Sequence, residues 1–104
     1  MLKPNKLANN NFLSSLDLST DEVLHILDLA NYFKNKKLNI DLGNKVLGLI
    51  FDKSSTRTRV SFQVAMTRLG GTTIDLNPTT SQIGRGEPIK DTARVLSRYC
   101  DVIA

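Results

Sequence analysis

Hydroxyl and guanidinium side chains are concentrated in residues 54–62, which read SSTRTRVSF. The hydroxyls of Ser55, Thr56 and Thr58 can each donate a hydrogen bond to a phosphate oxygen. Arg57 and Arg59 add positive charge and a planar fork that matches phosphate or carboxylate oxygens. These residue types therefore predict an anion site, and a small phosphate ester or anhydride is the expected ligand.

The residues around this segment predict where it lies in the fold. The preceding run, KVLGLIFD at residues 45–52, is typical of a strand buried on both faces of a parallel sheet. Apolar residues then repeat at helical spacing from Phe62 to Leu69, which predicts a helix that begins in the hydroxyl segment. The unpaired N–H groups and the dipole at a helix N-terminus attract anions.

Other interpretations of the segment are weaker. It lacks the glycines and lysine of G-x-x-x-x-G-K-[ST] and does not fit G-x-G-x-x-G, so it predicts neither a nucleotide P-loop nor a dinucleotide site. Ser55 could instead only cap the helix, with both arginines in solvent. Capping needs one hydroxyl, whereas here three alternate with two arginines, and we favour the anion site.

The rest of the chain alternates between helix and strand patterns. Ser19 and Glu22 predict a capping box before a helix over about residues 20–36. Gly70 and Gly71 predict the end of the second helix. Further expectations are a strand at 72–77, a loop at 78–88, a helix from Pro88 to Tyr99 with an inner stripe of Ile89, Ala93, Leu96 and Cys100, and a strand starting at 101–104. This order predicts an α/β fold, a parallel sheet flanked by helices.

Composition narrows the classes of function. The 104 residues include 14 Lys and Arg against 10 Asp and Glu, a net charge of +4 that suits an anionic partner. The basic residues are scattered and not interleaved with aromatics, so nucleic acid is a minor alternative. No apolar run is long enough for a membrane span, and the N-terminus lacks the apolar core of a secretory signal. The single cysteine, Cys100, suits a reducing compartment, so we expect a cytoplasmic protein, and an organelle stays open as the alternative.

Two blocks of sequence resemble the aspartate/ornithine carbamoyltransferase family. FDKSSTRTRVSFQVAMTRLGG (51–71) is similar to its carbamoyl-phosphate motif. SQIGRGEPIKDTARVLSRYCDVIA (81–104) is similar to the ornithine branch, whereas the aspartate branch usually has a lysine-bearing KGE where this chain has GRGE. FLSSLDLSTDEV (12–23) also fits the ornithine branch. The resemblance spans residues 11–104.

The resemblance implies a fold, a reaction and a set of site residues. Residues 1–104 would be an incomplete carbamoyl-phosphate-binding domain, cut off early in its last strand, with the ornithine-binding domain absent. The implied reaction moves the carbamoyl group of carbamoyl phosphate to the δ-amine of ornithine, giving citrulline and phosphate, with no metal or organic cofactor. The implied ligands of carbamoyl phosphate are Ser55, Thr56, Arg57, Thr58 and Gln82, and Arg57 is the expected catalytic residue.

The resemblance also implies an assembly. Family members form closed trimers, so we expect a homotrimer or a multiple of trimers. Arg85 occupies the loop position from which family members reach into a neighbouring subunit's site. One departure is Ser54, where the family often has proline, which makes the turn less rigid but removes no ligand group. Two alternatives stay open: aspartate carbamoyltransferase, or a non-catalytic anion-binding module if the chain is complete. Arginine biosynthesis is the expected pathway, and arginine breakdown stays open.

Overall fold

The computed structural model describes residues 7–36, 40–51, 55–76 and 89–104, in two compact units, Met1–Asn39 and Ile40–Ala104. Along the chain follow a short 3₁₀ helix (Ser15–Asp17) and the elements α1 (Thr20–Asn35), β1 (Val46–Ile50), α2 (Thr56–Arg68), β2 (Thr72–Leu76), α3 (Ile89–Tyr99) and β3 (Val102–Ile103). No helix within these ranges is long and apolar enough to cross a membrane.

The main element of the first unit is α1, and the N-terminus of this helix has the predicted capping box. The Glu22 N–H donates to the Ser19 hydroxyl at 3.1 Å, and the Ser19 N–H donates to the Glu22 carboxylate at 2.9 Å. The Ala8 N–H donates to the other carboxylate oxygen at 3.0 Å. The Ser19 N–H foremost, and then the Ala8 N–H, hold the pKa of Glu22 below its ordinary value. The predicted helix is confirmed and is one residue shorter than expected.

The second unit is built on a three-stranded parallel sheet with the order β2-β1-β3. The central strand β1 carries the core: Leu47 is 5% exposed, Leu49 is 0% exposed, and Gly48 between them is buried. Since consecutive residues of a strand face opposite sides of the sheet, β1 is buried on both faces, as its apolar run predicts. The predicted α/β class is therefore confirmed.

The helix α2 ends at the predicted pair of glycines. Gly70 has φ +79°, a left-handed conformation that glycine adopts without a Cβ clash. The Gly71 N–H donates to the Met66 carbonyl at 2.8 Å, and the Gly70 N–H donates to the Thr67 carbonyl at 3.3 Å. These bonds satisfy carbonyls of the last helical turn and direct the chain into β2.

The helix α3 agrees with the prediction in extent but only partly in its inner face. Cys100, just after the helix, is buried and Leu96 is half-buried, but Ala93 is exposed, so its assignment to the inner stripe is wrong. Ala93 matches the apolar spacing, but no element in the described part of the chain covers the helix at this position. Pro88 and the side chain of Ile89 lie outside the part that the structure describes.

Candidate anion-binding site

The predicted anion segment lies at the carboxyl end of the central strand. β1 ends at Ile50, Phe51 follows it, and Ser55 is the N-cap residue of α2. The strand β2 pairs with β1 in parallel, so its last residues, Asp75 and Leu76, lie at the same edge of the sheet. Crevices at the carboxyl ends of parallel strands are common ligand sites in α/β folds.

The N-terminus of α2 differs from that of α1, although both have a serine at the N-cap. The Ser19 hydroxyl accepts a hydrogen bond from the third residue of its helix, whereas in the described part of the chain the Ser55 side chain makes no capping hydrogen bond. The interpretation of Ser55 as only a cap is therefore wrong. Among the described residues, the amides of the first turn of α2 likewise have no intrahelical acceptor, so these amides and the Ser55 hydroxyl can donate to an external phosphate.

The charges at this helix end favour an anion. The first turn of α2, which the structure describes in full, contains no acidic residue, whereas α1 has two. Thr56, Arg57 and Thr58 are exposed, and Ser55 is half-buried. A helix N-terminus carries partial positive charge, which a nearby guanidinium increases. The structure therefore brings four of the predicted site residues, 55–58, together on one turn.

Arg59 differs from Arg57, which the sequence pattern did not predict. The Arg59 Nε lies 3.1 Å from Asp75 Oδ2, as an ion pair that does not have hydrogen-bond geometry. Its Cζ lies 5.6 Å from the centre of the Phe51 ring, a cation–π contact. Its charge is thus already engaged, so of the two arginines only Arg57 stays a predicted ligand of the anion.

Phe51 and Asp75 were missed by sequence reasoning. Because α2 connects two parallel strands, the carboxyl ends of both strands lie beside its N-terminus. The predicted topology could therefore have indicated that Asp75, near the end of β2, lies close to the site. The Phe51 ring also lies 6.5 Å from that of Phe62, one turn beyond Arg59 on α2. Together these contacts attach the start of α2 to the ends of β1 and β2.

Two predicted site residues lie outside the described part of the structure. Gln82 and Arg85 fall in residues 77–88, and Ser54 falls in residues 52–54. Their roles stay predictions.

Two surface cavities of about 310 Å³ lie elsewhere, one lined by α1 and one by α3, and neither includes a residue of the first turn of α2. Among the described residues, no group of three or more His, Cys, Asp or Glu side chains is arranged to hold a metal ion.

The amino-acid sequence of this chain is similar to sequences of known proteins. Residues 10–104 match the model described as aspartate/ornithine carbamoyltransferase, carbamoyl-P binding domain. The chain is 88% identical over all its 104 residues to an ornithine carbamoyltransferase of Prochlorococcus marinus subsp. pastoris (strain MED4), and 86% identical to that of strain MIT 9312. In each case it covers 34% of the relative, so the chain spans about a third of the length of these curated relatives.

Solved structures show the same fold. An ornithine carbamoyltransferase from Pyrococcus furiosus superposes with a TM-score of 0.82 at 47% identity, covering 96% of this chain and 33% of that one. The catalytic subunit of an aspartate transcarbamoylase from M. jannaschii superposes with a TM-score of 0.78 at 39% identity, covering 91% and 33%. The parallel sheet and its helices are thus those of carbamoyltransferase domains.

Proposed function

Because the chain belongs to the aspartate/ornithine carbamoyltransferase family, we propose that it forms the phosphate-binding part of an ornithine carbamoyltransferase. The reaction transfers the carbamoyl group of carbamoyl phosphate to the δ-amine of ornithine and gives citrulline and phosphate. The observation that carries this proposal is the N-terminus of α2. There the N-cap residue Ser55 makes no capping hydrogen bond with its side chain, and the exposed Arg57 lies beside the first amides of the helix.

The chemistry required of this site is stabilisation of a leaving group. The ornithine amine attacks the carbamoyl carbon, the C–O bond to phosphate breaks, and negative charge grows on the departing phosphate. The proton that the amine loses leaves with the phosphate. Arg57, the hydroxyls of Ser55, Thr56 and Thr58, and the helix amides supply donors and positive charge fixed in advance for that phosphate. None of these roles involves a metal or an organic cofactor. The second substrate would bind to a part that corresponds to the other two thirds of the curated relatives. Binding both substrates side by side brings the amine close to the carbamoyl carbon.

The loop at residues 78–88 belongs to the same proposal. We assign Gln82 to carbamoyl phosphate binding and Arg85 to a neighbouring subunit's site, in a homotrimer or a multiple of trimers. Two observations support this assignment. The segment SQIGRGEP resembles the ornithine branch, and the relatives that are 88% and 86% identical to this chain are named ornithine carbamoyltransferases. A cytoplasmic location and a part in arginine biosynthesis complete the proposal.

Aspartate carbamoyltransferase is the second candidate, supported by the superposition on aspartate transcarbamoylases with TM-scores of 0.78 and 0.80. The two reactions share carbamoyl phosphate and differ in the acceptor. The 88% identity of this chain to an ornithine carbamoyltransferase favours ornithine over aspartate as the proposed acceptor.

The test uses a full-length enzyme, defined here as residues 1–104 joined to the remaining two thirds of the 88% identical Prochlorococcus relative. With carbamoyl phosphate and ornithine it should form citrulline, and with aspartate it should form no carbamoyl aspartate. Residues 1–104 alone should form neither product, because proximity requires both substrate sites. Failure of the full-length enzyme to form citrulline, with an active parent relative as control, would refute the proposal.

A further inference from the structure

We propose that Arg59 is a positioning residue, which through Asp75 holds the first turn of α2 in the geometry that binds phosphate. This inference rests on the proposed function, because it concerns the same anion site. It assigns Arg59 a role different from that of Arg57, although both belong to the same S-T-R-T-R segment and differ by only two positions.

Three contacts of Arg59 carry the inference. Its backbone N–H donates to the Ser55 carbonyl at 2.9 Å, the first hydrogen bond that closes α2. Its Nε lies 3.1 Å from the carboxylate of Asp75 in β2, and its Cζ lies 5.6 Å from the ring of Phe51, directly after β1. One residue thus ties the helix start to the carboxyl ends of both neighbouring strands.

The burial and charge of the pair fit positioning better than direct binding. The side chains of Arg59 and Asp75 are 26% and 32% exposed, and the Arg59 Nε itself is buried. Because the carboxylate neutralises Arg59, the cation left for an incoming phosphate in the first turn is Arg57. A small shift of this turn moves the hydroxyls, the amides and Arg57 together, and ligand stabilisation depends steeply on such distances.

The experiment measures the dissociation constant of inorganic phosphate by titration calorimetry, in the full-length enzyme and at a temperature where every variant is folded. The variants are Arg59→Gln, Asp75→Asn and the double substitution, with Arg68→Gln in the last turn of α2 as the matched control. Each single substitution should weaken phosphate binding by about two- to fivefold, the upper part of the range for a partly exposed ion pair. The double variant should bind like either single one, because both remove the same contact. Arg68→Gln should bind like the wild type.

The effect of Asp75→Asn separates positioning from direct binding. If Arg59 bound phosphate itself, loss of its partner would free its charge, and binding would tighten or stay unchanged; either result overturns the inference. A lower melting temperature with an unchanged phosphate dissociation constant would also overturn it, since the pair would then only stabilise the fold. If Arg59→Gln does not fold, Asp75→Asn alone decides by the same criteria. A wild-type enzyme that binds no phosphate would refute the proposed function and the inference with it, whereas normal wild-type binding with unaffected variants refutes the inference alone.

Discussion

Gly48 and Cys100 are in such close contact that a Cβ built on Gly48 would lie 3.1 Å from the Cys100 Sγ. Gly48 is the middle residue of the central strand, and both residues are buried. Glycine at this position therefore lets the chain that follows α3 pack directly against β1. Next to this contact the Asp101 N–H donates to the Val46 carbonyl at 2.9 Å, which aligns the start of β3 with the central strand.

We expect Gly48→Ala to destabilise the full-length enzyme by about 1–2 kcal/mol, because an added methyl overpacks the contact with Cys100. The double variant Gly48→Ala/Cys100→Ala should lose less than the sum of the two single losses, since the smaller residue 100 leaves room for the methyl. Denaturant unfolding of the four proteins in this cycle measures the coupling. Strictly additive losses would show that the two positions do not share this space.

Gly70→Ala should destabilise more than Gly43→Ala, although both glycines have positive φ, +79° and +59°. The left-handed conformation costs either alanine about 1–2 kcal/mol. At Gly70 the new Cβ would in addition collide with Asp41 Oδ1, which the Gly43 N–H holds in place at 2.8 Å. At Gly43 no atom of the described residues lies within 4 Å of a new Cβ. Melting temperatures of the two variants make the comparison. Equal melting temperatures would mean that Asp41 moves aside at no cost.

The capping box of α1 predicts a loss of helix in acid. The pKa of Glu22 is lowered in the folded helix by the Ser19 and Ala8 N–H groups, so its contribution is present above the unfolded-state pKa. That contribution is lost as the pH falls through the lower, folded-state pKa. Circular dichroism of a peptide of residues 7–36 should therefore show helicity decreasing in this range.

The matched control for this titration is Glu22→Gln, since glutamine also forms capping boxes but does not titrate. The variant should keep most of its helicity at neutral pH and lose less of it in acid than the natural peptide. Identical acid transitions in both peptides would show that protonation of Glu22 does not cause the loss of helix.

Arg57→Ala should reduce the turnover of the full-length enzyme by about 10²-fold or more, because it removes charge stabilisation on the leaving phosphate. Arg68→Ala is the control, since Arg68 is exposed in the last turn of the same helix and belongs to no proposed site. Steady-state citrulline formation compares the three proteins. If Arg57→Ala retains the turnover of the wild type, Arg57 has no role at the phosphate.

Subunit mixing tests the proposed contribution of Arg85 to a neighbouring site. Full-length Arg57→Ala and Arg85→Ala should each be weakly active. After random exchange of equal amounts, about a quarter of sites in a closed ring would combine an intact Arg57 with an intact Arg85 from the neighbour. Citrulline formation should rise well above either parent. A mixture with only the mean activity of its parents would mean that Arg85 acts within its own chain or not at all.

Local patterns in the sequence were enough to predict most elements of this fold. The capping box at Ser19 and Glu22 set the start of α1, and the glycine pair at 70–71 set the end of α2. The apolar run of β1 predicted a strand buried on both faces. Each of these signals depends on residues at most a few positions apart, where backbone geometry and hydrogen bonding act directly. The anion site at residues 55–58 was predicted from residue type and spacing in the same way, and it stays a prediction.

Only the tertiary structure separated Arg57 from Arg59. In the sequence the two arginines have nearly identical neighbours, and both suit a phosphate. The parallel register that pairs Leu49 with Asp75 brings a carboxylate from β2 to Arg59, while Arg57 stays exposed. Likewise, Ala93 matched the apolar spacing of α3 but is exposed, because no element in the described ranges packs against it. Such differences depend on which distant segments pack together, and local spacing contains no information about that partner.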